Sequence, residues 1–544
     1  MDSTSPNQQR RPISIKLWPP SQNTRKTLVE RMTNNLSDPS IFSRKYGSLS
    51  REEASKSAQH IEEFAFASAS QHYEREPDGD GSSAVQLYAR ECSKLILDVL
   101  KKGPLPEDAG DLKPKLVVAE DKTFFDISKG HRAFIDAKEA QELLKPLSEP
   151  GNSFTKICFS NRSFGIDAAE VAAPILSSIK DQLKEVDLSD FVAGRPEADA
   201  LEVMNMFSAA LEGSILKSLN LSDNALGEKG VRAFGKLLKS QTSLEELYLM
   251  NDGISEEAAR AVCELVPSTE KLKVLQFHNN MTGDEGARAI AEVVKRSPLL
   301  EAFRCSSTRV GSEGGIALSK ALETCTHLTK LDVRDNMFGV DAGIALSKAV
   351  SSFENLTELY LSYLNLEDEG TIAIADALNS TAPALEVLEL AGNEITAEGA
   401  SSLATCVAAK QHLTKLILAE NELKDDGAIK IGKVLLDGHD KLKEVDLSTN
   451  ALRRVGARTI AQSVVNKPDF VLLNLNGNFI SDEGIDELKD MFKKFPEKLA
   501  PVDDNDPDGE DDDGDEEGDK GSGDEGSGDE LDTKLGKLDV KDEE

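Results

Sequence analysis

Two polar residues stand at irregular turns of this sequence and could do chemistry there. Arg195 lies between Gly194 and Pro196 in a long loop, and Asn251 precedes Asp252 at a turn. A guanidinium offers several hydrogen-bond donors in one plane, and a carboxamide offers both donors and acceptors. Both side chains therefore suit contact with a docked molecule, and we predict that Arg195 and Asn251 are functional residues.

Motifs for catalysis by the chain itself are missing. The sequence contains neither HExxH nor GxSxG, and its seven histidines are dispersed. Residues 427–434 fit GxxxxGK but end in Val434, where a phosphate-binding loop needs serine or threonine to hold magnesium. We interpret this segment as part of a repeat helix. We expect no bound metal, no cofactor and no enzymatic activity of the chain's own.

Repeats are the elements that position the two residues. Residues 216–226 read L-x-x-L-x-L-x-x-N-x-L, the strand and turn of a leucine-rich repeat. Leu219 and Leu221 should point inward on a short strand, with Asn220 between them facing solvent. Asn224 should then hydrogen-bond the backbone of adjacent coils, whose polar groups would otherwise be buried without partners. One such unit has no core of its own and must stack on copies of itself.

Copies of this pattern run through most of the chain, 28 or 29 residues apart except for one interval of 33. They start at Phe154, Leu183, Leu216, Leu244, Leu272, Leu300, Leu328, Leu356, Leu385, Leu413, Leu442 and Phe470. A period this long leaves room for a helix after each strand. We therefore predict an α/β fold, a crescent-shaped leucine-rich-repeat solenoid of about 12 strand–helix repeats.

The concave face and the rim, where strands meet turns, form the predicted binding surface. Four residues at the solvent-facing strand positions are acidic and two are tyrosines, which suits a basic protein partner. An ordinary solvated face would have a similar composition, so both interpretations stay open. The predicted partner-binding residues are Asp187, Asn220, Tyr248, Asp252, Arg304, Asp332, Tyr360 and Glu389.

Charge and cysteine content narrow the functional class. The formal net charge is −34, and residues 503–544 carry 21 acidic side chains against 4 lysines, or −17. Such a chain should not bind nucleic acid or anionic membranes, both of which favour basic surfaces. Six scattered cysteines without a signal peptide predict reduced thiols in the cytosol or nucleus. No apolar run is long enough for membrane insertion.

Composition divides the chain into five segments. Residues 1–12 should be disordered, and residues 13–103 should form a small helical domain that opens with Trp18, Pro19 and Pro20. Residues 104–118 are a predicted linker. Residues 119–500 should form the repeat domain, with an atypical strand–helix unit within 123–144 capping its N-terminal end. Residues 501–544 should be a disordered acidic tail.

At several of these residues the sequence resembles the Ran GTPase-activating proteins. The matching stretches are 189–195, 219–227 and 247–253, and the repeat number, N-terminal cap and acidic tail agree with the family. The region around Trp18, Pro19 and Pro20 looks like the WPP domain that plant members carry at the N-terminus. The combination resembles a plant member of the family and is far more specific than the repeats alone.

The resemblance implies a protein that activates GTP hydrolysis on the small GTPase Ran in nucleocytoplasmic transport and mitosis. The family is thought to supply no arginine finger; its rim braces the GTPase so that the GTPase's own glutamine orients the attacking water. By motif match, Asn251 would contact that glutamine region and Arg195 would order the rim. Asp252 stands where the family often has a second asparagine.

The WPP-type segment implies a cytoplasmic protein concentrated at the outer nuclear envelope, held by coiled-coil envelope proteins and relocated during cell division. Trp18, Pro19 and Pro20 are the residues that this resemblance singles out. The resemblance to the Ran GTPase-activating proteins implies two further partners, Ran-GTP and Ran-binding co-activators. The alternative is a scaffold or adaptor without GTPase-activating role, which binds envelope or immune-receptor partners through the helical domain.

Overall fold

The computed structural model describes residues 22–37, 51–75, 123–128 and 132–506, together with single helical positions between 85 and 95. Contacts within the chain divide it into two compact units, Met1–Glu120 and Asp121–Glu544. Trp18, Pro19, Pro20 and the predicted linker at 104–118 lie outside the described residues. No helix in the described part of the chain is both long and apolar enough to cross a membrane.

The first unit contains two long helices, α1 Gln22–Ser37 and α2 Arg51–Arg75. Their small and apolar side chains, among them Met32, Ala58 and Ile61, are buried together with Tyr88 and Cys92, which lie at helical positions later in the unit. Buried charge is paired, since Arg25 donates two hydrogen bonds of 2.6 and 2.9 Å to the Glu62 carboxylate. A helical core in this segment is therefore confirmed.

A parallel sheet forms one side of the second unit, the side predicted above to be the concave face. Its described strands pair in chain order in a 13-stranded array, and β2 and β4 form a separate parallel pair beside its first strands. The strands are β1 Phe124–Asp126, β2 Ala133–Ile135, β3 Lys156–Cys158, β4 Arg162–Phe164, β5 Glu185–Asp187, β6 Ser218–Asn220, β7 Glu246–Tyr248, β8 Val274–Gln276, β9 Ala302–Arg304, β10 Lys330–Asp332, β11 Glu358–Tyr360, β12 Val387–Glu389, β13 Lys415–Ile417, β14 Glu444–Asp446 and β15 Leu472–Asn474.

Helices return the chain from each strand of the 13-stranded sheet to the next and cover the other side of this sheet. They are α3 Ala137–Leu143, α4 Ile166–Ile179, α5 Glu197–Ala210, α6 Gly227–Ala233, α7 Gly235–Ser240, α8 Glu256–Leu265, α9 Gly283–Lys295, α10 Ser312–Leu322, α11 Gly339–Val350, α12 Glu367–Ser380, α13 Ala397–Ala409, α14 Lys424–Leu435, α15 Arg454–Val464 and α16 Asp482–Met491. Helix α14 contains the GxxxxGK-like segment, as predicted. The leucine-rich-repeat solenoid is confirmed.

Asparagines join neighbouring coils as predicted. The Asn224 Nδ2 donates to the Leu188 and Leu221 carbonyls, 2.8 Å each, and its Oδ1 accepts from the Phe191 backbone N–H at 3.0 Å. Asn393 makes the same set of bonds six strands along the sheet, where its side chain is fully buried. Each such residue satisfies backbone groups of two coils, so the repeats cannot slide against each other without losing several buried hydrogen bonds.

Both ends of the solenoid are closed. The predicted N-terminal cap is present, since β1 pairs with β3 and α3 begins at a capping box on Asp136. The predicted C-terminal boundary at residue 500 was wrong. Residues 501–506 are folded: Val502 is buried, and Asn505 accepts the Asn478 backbone N–H at 2.9 Å, as an asparagine of a further repeat would. Residues 507–544, the rest of the acidic tail, lie outside the described residues.

Candidate functional site on the rim of the repeats

One residue of each repeat from the second onward, placed just before the position of the coil-joining asparagine, lies at the rim with a left-handed backbone. This rim row runs Asp190, Asp223, Asn251, Asn279, Ser307, Asp335, Tyr363, Gly392, Glu420, Thr449 and Gly477, and every φ in it is positive, between 52° and 68°. Asparagine, aspartate and glycine tolerate this conformation best. The positive φ of Asn251 therefore belongs to the repeat and is no special strain at the site.

Asn251 is held by both of its neighbours in the rim row. Its Nδ2 donates to the Asp223 Oδ1 at 2.7 Å, and its Oδ1 accepts a hydrogen bond from the Asn279 Nδ2. Its backbone N–H donates to the His278 carbonyl at 3.2 Å, which ties the turn to the following repeat. The side chain is half-buried and its carboxamide is fixed in one orientation.

Asn251 and Asn279 line an open concavity of about 550 Å³ on the surface of the protein. Two exposed methionines, Met281 and Met337, line it together with Arg309 and Asp335. Arg309 is exposed and makes no ion pair within the described part of the chain. Apolar side chains around a free cation on a protein surface are typical of a protein-binding site.

Arg195 points away from solvent and into the N-terminal cap. Its guanidinium donates to the Ser163 carbonyl at 2.6 Å, the Ile135 carbonyl at 3.2 Å and the Ser163 Oγ at 3.2 Å, and it lies 4.8 Å from the centre of the Phe134 ring. These bonds fasten the long loop of the second repeat to β2 and β4. Arg195 and Asp223 line a second concavity of about 550 Å³, so Asp223 stands between the two candidate residues.

The cap reaches the rim through an ion pair. Arg132, immediately before β2, donates two hydrogen bonds to Asp190, one of them 2.9 Å long. Asp190 precedes Asp223 in the rim row, and its carboxylate is almost fully buried. The bonds from Arg195 to β2 therefore support a rim residue two places from Asn251.

Three of the predicted contact residues lie on the concave face at the first repeats. The Asp187 carboxylate accepts from the Ser189 N–H and hydroxyl at 2.9 and 2.7 Å, and the Asn220 Oδ1 accepts from the Ser222 backbone N–H at 3.1 Å. The Tyr248 hydroxyl donates to Glu246 at 3.2 Å. Burial, followed by the Glu246 charge, raises the pKa of Tyr248, so this hydroxyl stays a donor. All three stay partly accessible, and their contact role remains a prediction.

The concave face further along is dominated by one arginine. Arg334 donates to Asp332 at 3.0 Å and to Glu389 at 2.6 Å, and its guanidinium carbon lies 4.6 Å from the centre of the Tyr360 ring. Arg304 also pairs with Asp332, at 3.0 Å. The expectation that Asp332 and Glu389 face solvent was wrong, because these salt bridges bury both. Arg304, Arg334 and Tyr360 remain partly accessible to a partner, as does Lys415, which pairs with Glu389 at 3.1 Å.

Asp252 is fully buried, so its prediction as a partner-binding residue was wrong. It takes the place of a coil-joining asparagine. The Asp252 Oδ1 accepts from the Asn224 backbone N–H at 2.9 Å, and the Asp252 backbone N–H donates to the Asn280 Oδ1 at 3.1 Å. Its Oδ2 stands where an asparagine carries Nδ2, and it has no hydrogen-bond partner. Burial raises the pKa of the Asp252 carboxyl well above its ordinary value.

Comparison with known proteins identifies the family of this chain. The family model of the WPP domain matches residues 14–110, and that of a leucine-rich repeat matches 215–235, 324–347, 382–404 and 409–432. RAN GTPase-activating protein 2 of Arabidopsis thaliana is 74% identical over 498 residues, which cover 91% of each chain. The chain belongs to the Ran GTPase-activating proteins.

Two further relatives, one matching nearly the whole chain and one matching a fifth of it, show how the domains of this chain occur in other proteins. RAN GTPase-activating protein 1 of Arabidopsis thaliana is 64% identical over 541 residues, which cover 99% of each chain. MFP1 attachment factor 1 of Solanum lycopersicum is 39% identical over 109 residues, which cover 20% of this chain and 70% of that protein. The WPP segment thus occurs both with the repeats and in a shorter plant protein.

Sequence reasoning missed the residues that hold the site of this Ran GTPase-activating protein together. Asp223 and Asn279 clamp Asn251, yet each looks like an ordinary turn residue in its own repeat. The signal was present, because all three occupy the same position of successive repeats and must therefore be neighbours. Arg334 follows its strand where several other repeats carry serine, a departure that could also have been noticed.

Replacing Asp252 by asparagine is expected to stabilise this Ran GTPase-activating protein. An Nδ2 at this place can donate to backbone carbonyls, as in Asn224, and removes an orphaned carboxylate oxygen, for a gain of about 1–3 kcal/mol at pH 7. Because the folded-state pKa is raised, the wild-type penalty grows as pH rises above the unfolded pKa of about 4. Thermal denaturation should therefore show a higher Tm for Asp252→Asn, with a smaller difference at pH 4.5 than at pH 7.

The reverse exchange at the next coil-joining position is the matched control. Asn280→Asp creates the same orphaned oxygen and should lower the Tm, again more at pH 7 than at pH 4.5. Equal Tm values for Asp252→Asn and wild type at both pH values would contradict the assigned cost of Asp252.

Proposed function

We propose that this chain activates GTP hydrolysis on the small GTPase Ran, the activity that the names of its two Arabidopsis relatives state for those proteins. The observation that supports it best is the clamped carboxamide of Asn251 on an accessible rim. With one N–H bonded to Asp223 and Oδ1 bonded to Asn279, the carboxamide keeps one free donor and one free acceptor lone pair. A glutamine carboxamide offers the complementary pair.

In the proposed mechanism the rim positions the catalytic glutamine of the GTPase, and this protein inserts no group at the phosphates. Asn251 holds the glutamine so that it orients the attacking water, and positioning of this kind can lower a barrier by several kcal/mol, on the order of 100-fold or more in rate. The engagement of Arg195 supports this view, because a guanidinium with three bonds into the cap cannot serve as an arginine finger without losing them.

The residues that remain accessible supply the rest of the proposed docking surface. Asp187, Asn220 and Tyr248 flank the rim on the concave side, and Arg304 and Tyr360 extend the surface towards the later repeats. Most of these side chains already accept or donate hydrogen bonds within the protein, so a partner meets a pre-ordered surface and little side-chain entropy is lost on docking.

Single-turnover hydrolysis of GTP on Ran, with the full chain in excess, tests the proposal. The chain should accelerate hydrolysis by several orders of magnitude over Ran alone. A chain that binds Ran-GTP without accelerating hydrolysis would overturn it and leave the scaffold alternative. Pull-downs with residues 1–115 would then still recover partners, whereas the GTPase would be unaffected.

We also propose that the WPP segment tethers the protein at the outer nuclear envelope through coiled-coil proteins and releases it during cell division. The family match over 14–110 and the similarity to a plant protein named as an attachment factor support this. Supply of the activator at the cytoplasmic face of the envelope would place Ran-GTP hydrolysis where transport complexes leave the nucleus. Ran-binding co-activators would act at the same place.

A double substitution of Trp18 and Pro19 by alanine should release a fluorescent fusion of the full chain from the nuclear rim into the cytoplasm. The tryptophan is the only one in the chain, and its large apolar side chain with a rigid proline beside it suits a docking anchor. The same variant should stimulate Ran in vitro as the wild type does, because the repeats are untouched. Retention at the rim would contradict the anchoring role.

A further inference from the structure

The hydrogen bonds that Asn251 makes within the rim row indicate a role for two residues to which the proposed mechanism gives none. We infer that Asp223 and Asn279 are positioning residues, which fix the polarity of the Asn251 carboxamide and so decide which of its atoms meet the partner. This inference rests on the proposed function, because it concerns the same site.

The polarity is imposed by the carboxylate. An ionised carboxylate only accepts hydrogen bonds. Asp223 can therefore accept a hydrogen bond from the Asn251 Nδ2 but can form none with the Asn251 Oδ1. Asn279 then turns its own Nδ2 towards the Asn251 Oδ1. A carboxamide rotated by half a turn would place Oδ1 against the carboxylate and Nδ2 against an N–H donor. Both contacts would be repulsive, so one orientation is selected.

The three residues can form this clamp because their backbones are equivalent. Their φ values are 65°, 54° and 55°, and each lies one repeat from the next, on the coils of β6, β7 and β8. The backbone N–H of Asp223 donates to Met250 O at 2.9 Å and that of Asn279 to Ser306 O at 2.9 Å. These backbone bonds are independent of the side chains. Asp and Asn tolerate the left-handed conformation similarly, so exchanging one for the other changes polarity and leaves the turn intact.

Asp223→Asn is the first test. The new carboxamide can present either an acceptor or a donor to Asn251, so the two orientations of Asn251 approach equal stability. We expect the saturating rate of hydrolysis on Ran to fall about 3- to 10-fold, with little change in the concentration for half-saturation and no change in Tm beyond about 2 °C. In an Asn251→Ala background the same substitution should change the rate less than twofold, because its effect passes through Asn251.

The double variant Asp223→Asn/Asn279→Asp separates polarity from structure. It keeps the net charge and the residue types of the rim but moves the carboxylate to the other side of Asn251. The clamp should reform with the carboxamide reversed, exchanging the donor and the acceptor shown to the partner. We expect hydrolysis at least as slow as with Asp223→Asn alone. A merely structural or electrostatic role predicts recovery to the wild-type rate, and that result would overturn the inference.

Glu420→Gln is the matched control. Glu420 is also a rim-row carboxylate that accepts a hydrogen bond, from the Tyr363 hydroxyl at 2.7 Å, and it lies seven strands further along the sheet. Its substitution removes the same charge at an equivalent position and should leave the hydrolysis rate within twofold of wild type. An equal loss with Glu420→Gln would mean that general rim charge governs the rate, and would overturn the positioning role of Asp223.

A readout without Ran distinguishes failure of this inference from failure of the proposed function. In the full chain labelled with [¹⁵N]asparagine, the side-chain signals of Asn251 are assigned by their loss in Asn251→Ala. The proton donated to Asp223 should resonate downfield and move upfield in Asp223→Asn. If wild type does not stimulate Ran, the function fails while this shift still supports the clamp. If wild type stimulates Ran but Asp223→Asn changes neither signal nor rate, the clamp alone is overturned.

Discussion

Asn251→Ala is expected to lower the saturating rate of GTP hydrolysis on Ran by about 100-fold, the usual cost of removing one pre-positioned polar group from a reacting centre. The Asn251 carboxamide keeps one N–H donor and one acceptor lone pair free for the partner. Binding should weaken only a few-fold, because Asn251 is one residue of a broad surface. Single-turnover hydrolysis over a range of activator concentrations separates the two effects.

Thr449→Ala is the control for this loss. Thr449 occupies the rim row with φ of 52°, against 54° for Asn251, so alanine meets the same backbone cost at both positions. It lies seven strands further along the sheet, and its substitution should leave hydrolysis unchanged. Comparable rates for Asn251→Ala and wild type would contradict the proposed mechanism.

Arg309 offers a check on the claim that no arginine finger operates. It is exposed, unpaired within the described residues, and lines the same concavity as Asn251. If it contributes only to docking, Arg309→Ala should raise the half-saturation concentration and keep the saturating rate within about twofold. A loss of three to five orders of magnitude, the usual contribution of an arginine finger, would replace the positioning mechanism by a finger mechanism.

The second large effect is expected for Arg195→Ala, which should lower the saturating rate by about 10-fold or more and reduce the Tm. Its guanidinium donates to two buried carbonyls and the Ser163 hydroxyl, and alanine removes all three bonds, leaving the Ile135 carbonyl with the Gly165 N–H as a donor. Loosening of β2 would free Arg132, whose bonds hold Asp190 in the rim row. The effect on Ran would therefore be transmitted through the backbone of the rim.

Hydrogen exchange distinguishes this indirect role from contact with the nucleotide. In Arg195→Ala the backbone amides of β2 and β4, residues 133–135 and 162–164, should exchange faster than in wild type. Phe134→Leu removes the ring beside the guanidinium but none of its acceptors, and it should cost far less activity. Slow hydrolysis with unchanged exchange in β2 and β4 would indicate that Arg195 acts directly on the partner.

Most of the repeat architecture could be predicted from sequence because the period constrains it. A leucine at fixed spacing identifies its strand, and Asn224 or Asn393 identifies a turn, since only one backbone arrangement lets a buried carboxamide satisfy two coils. The C-terminal cap was missed although Asn505 continues the same series. The acidic residues around it, Asp503 and Asp504, suggested a disordered tail, and composition outweighed the position of one asparagine.

The functional surface was harder to predict because it depends on pairs of side chains from different repeats. Alternation placed Asp332 and Glu389 on the concave face correctly, but it could not show that Arg334 covers both. The loop of Arg195 was recognisable from its glycine, its proline and its extra length. The direction of the guanidinium was not, because its acceptors, Ser163 and Ile135, lie 32 and 60 residues earlier.

The shared left-handed backbone of the rim row has a consequence for how such a site can arise. Because every repeat already offers a rim residue in the conformation that Asp223, Asn251 and Asn279 adopt, three substitutions at consecutive repeats could assemble the clamp elsewhere without any change of backbone. Loss or gain of whole repeats would move the clamp along the array and leave its internal geometry intact. New specificities in this fold are therefore accessible by point mutation and unequal recombination between repeats.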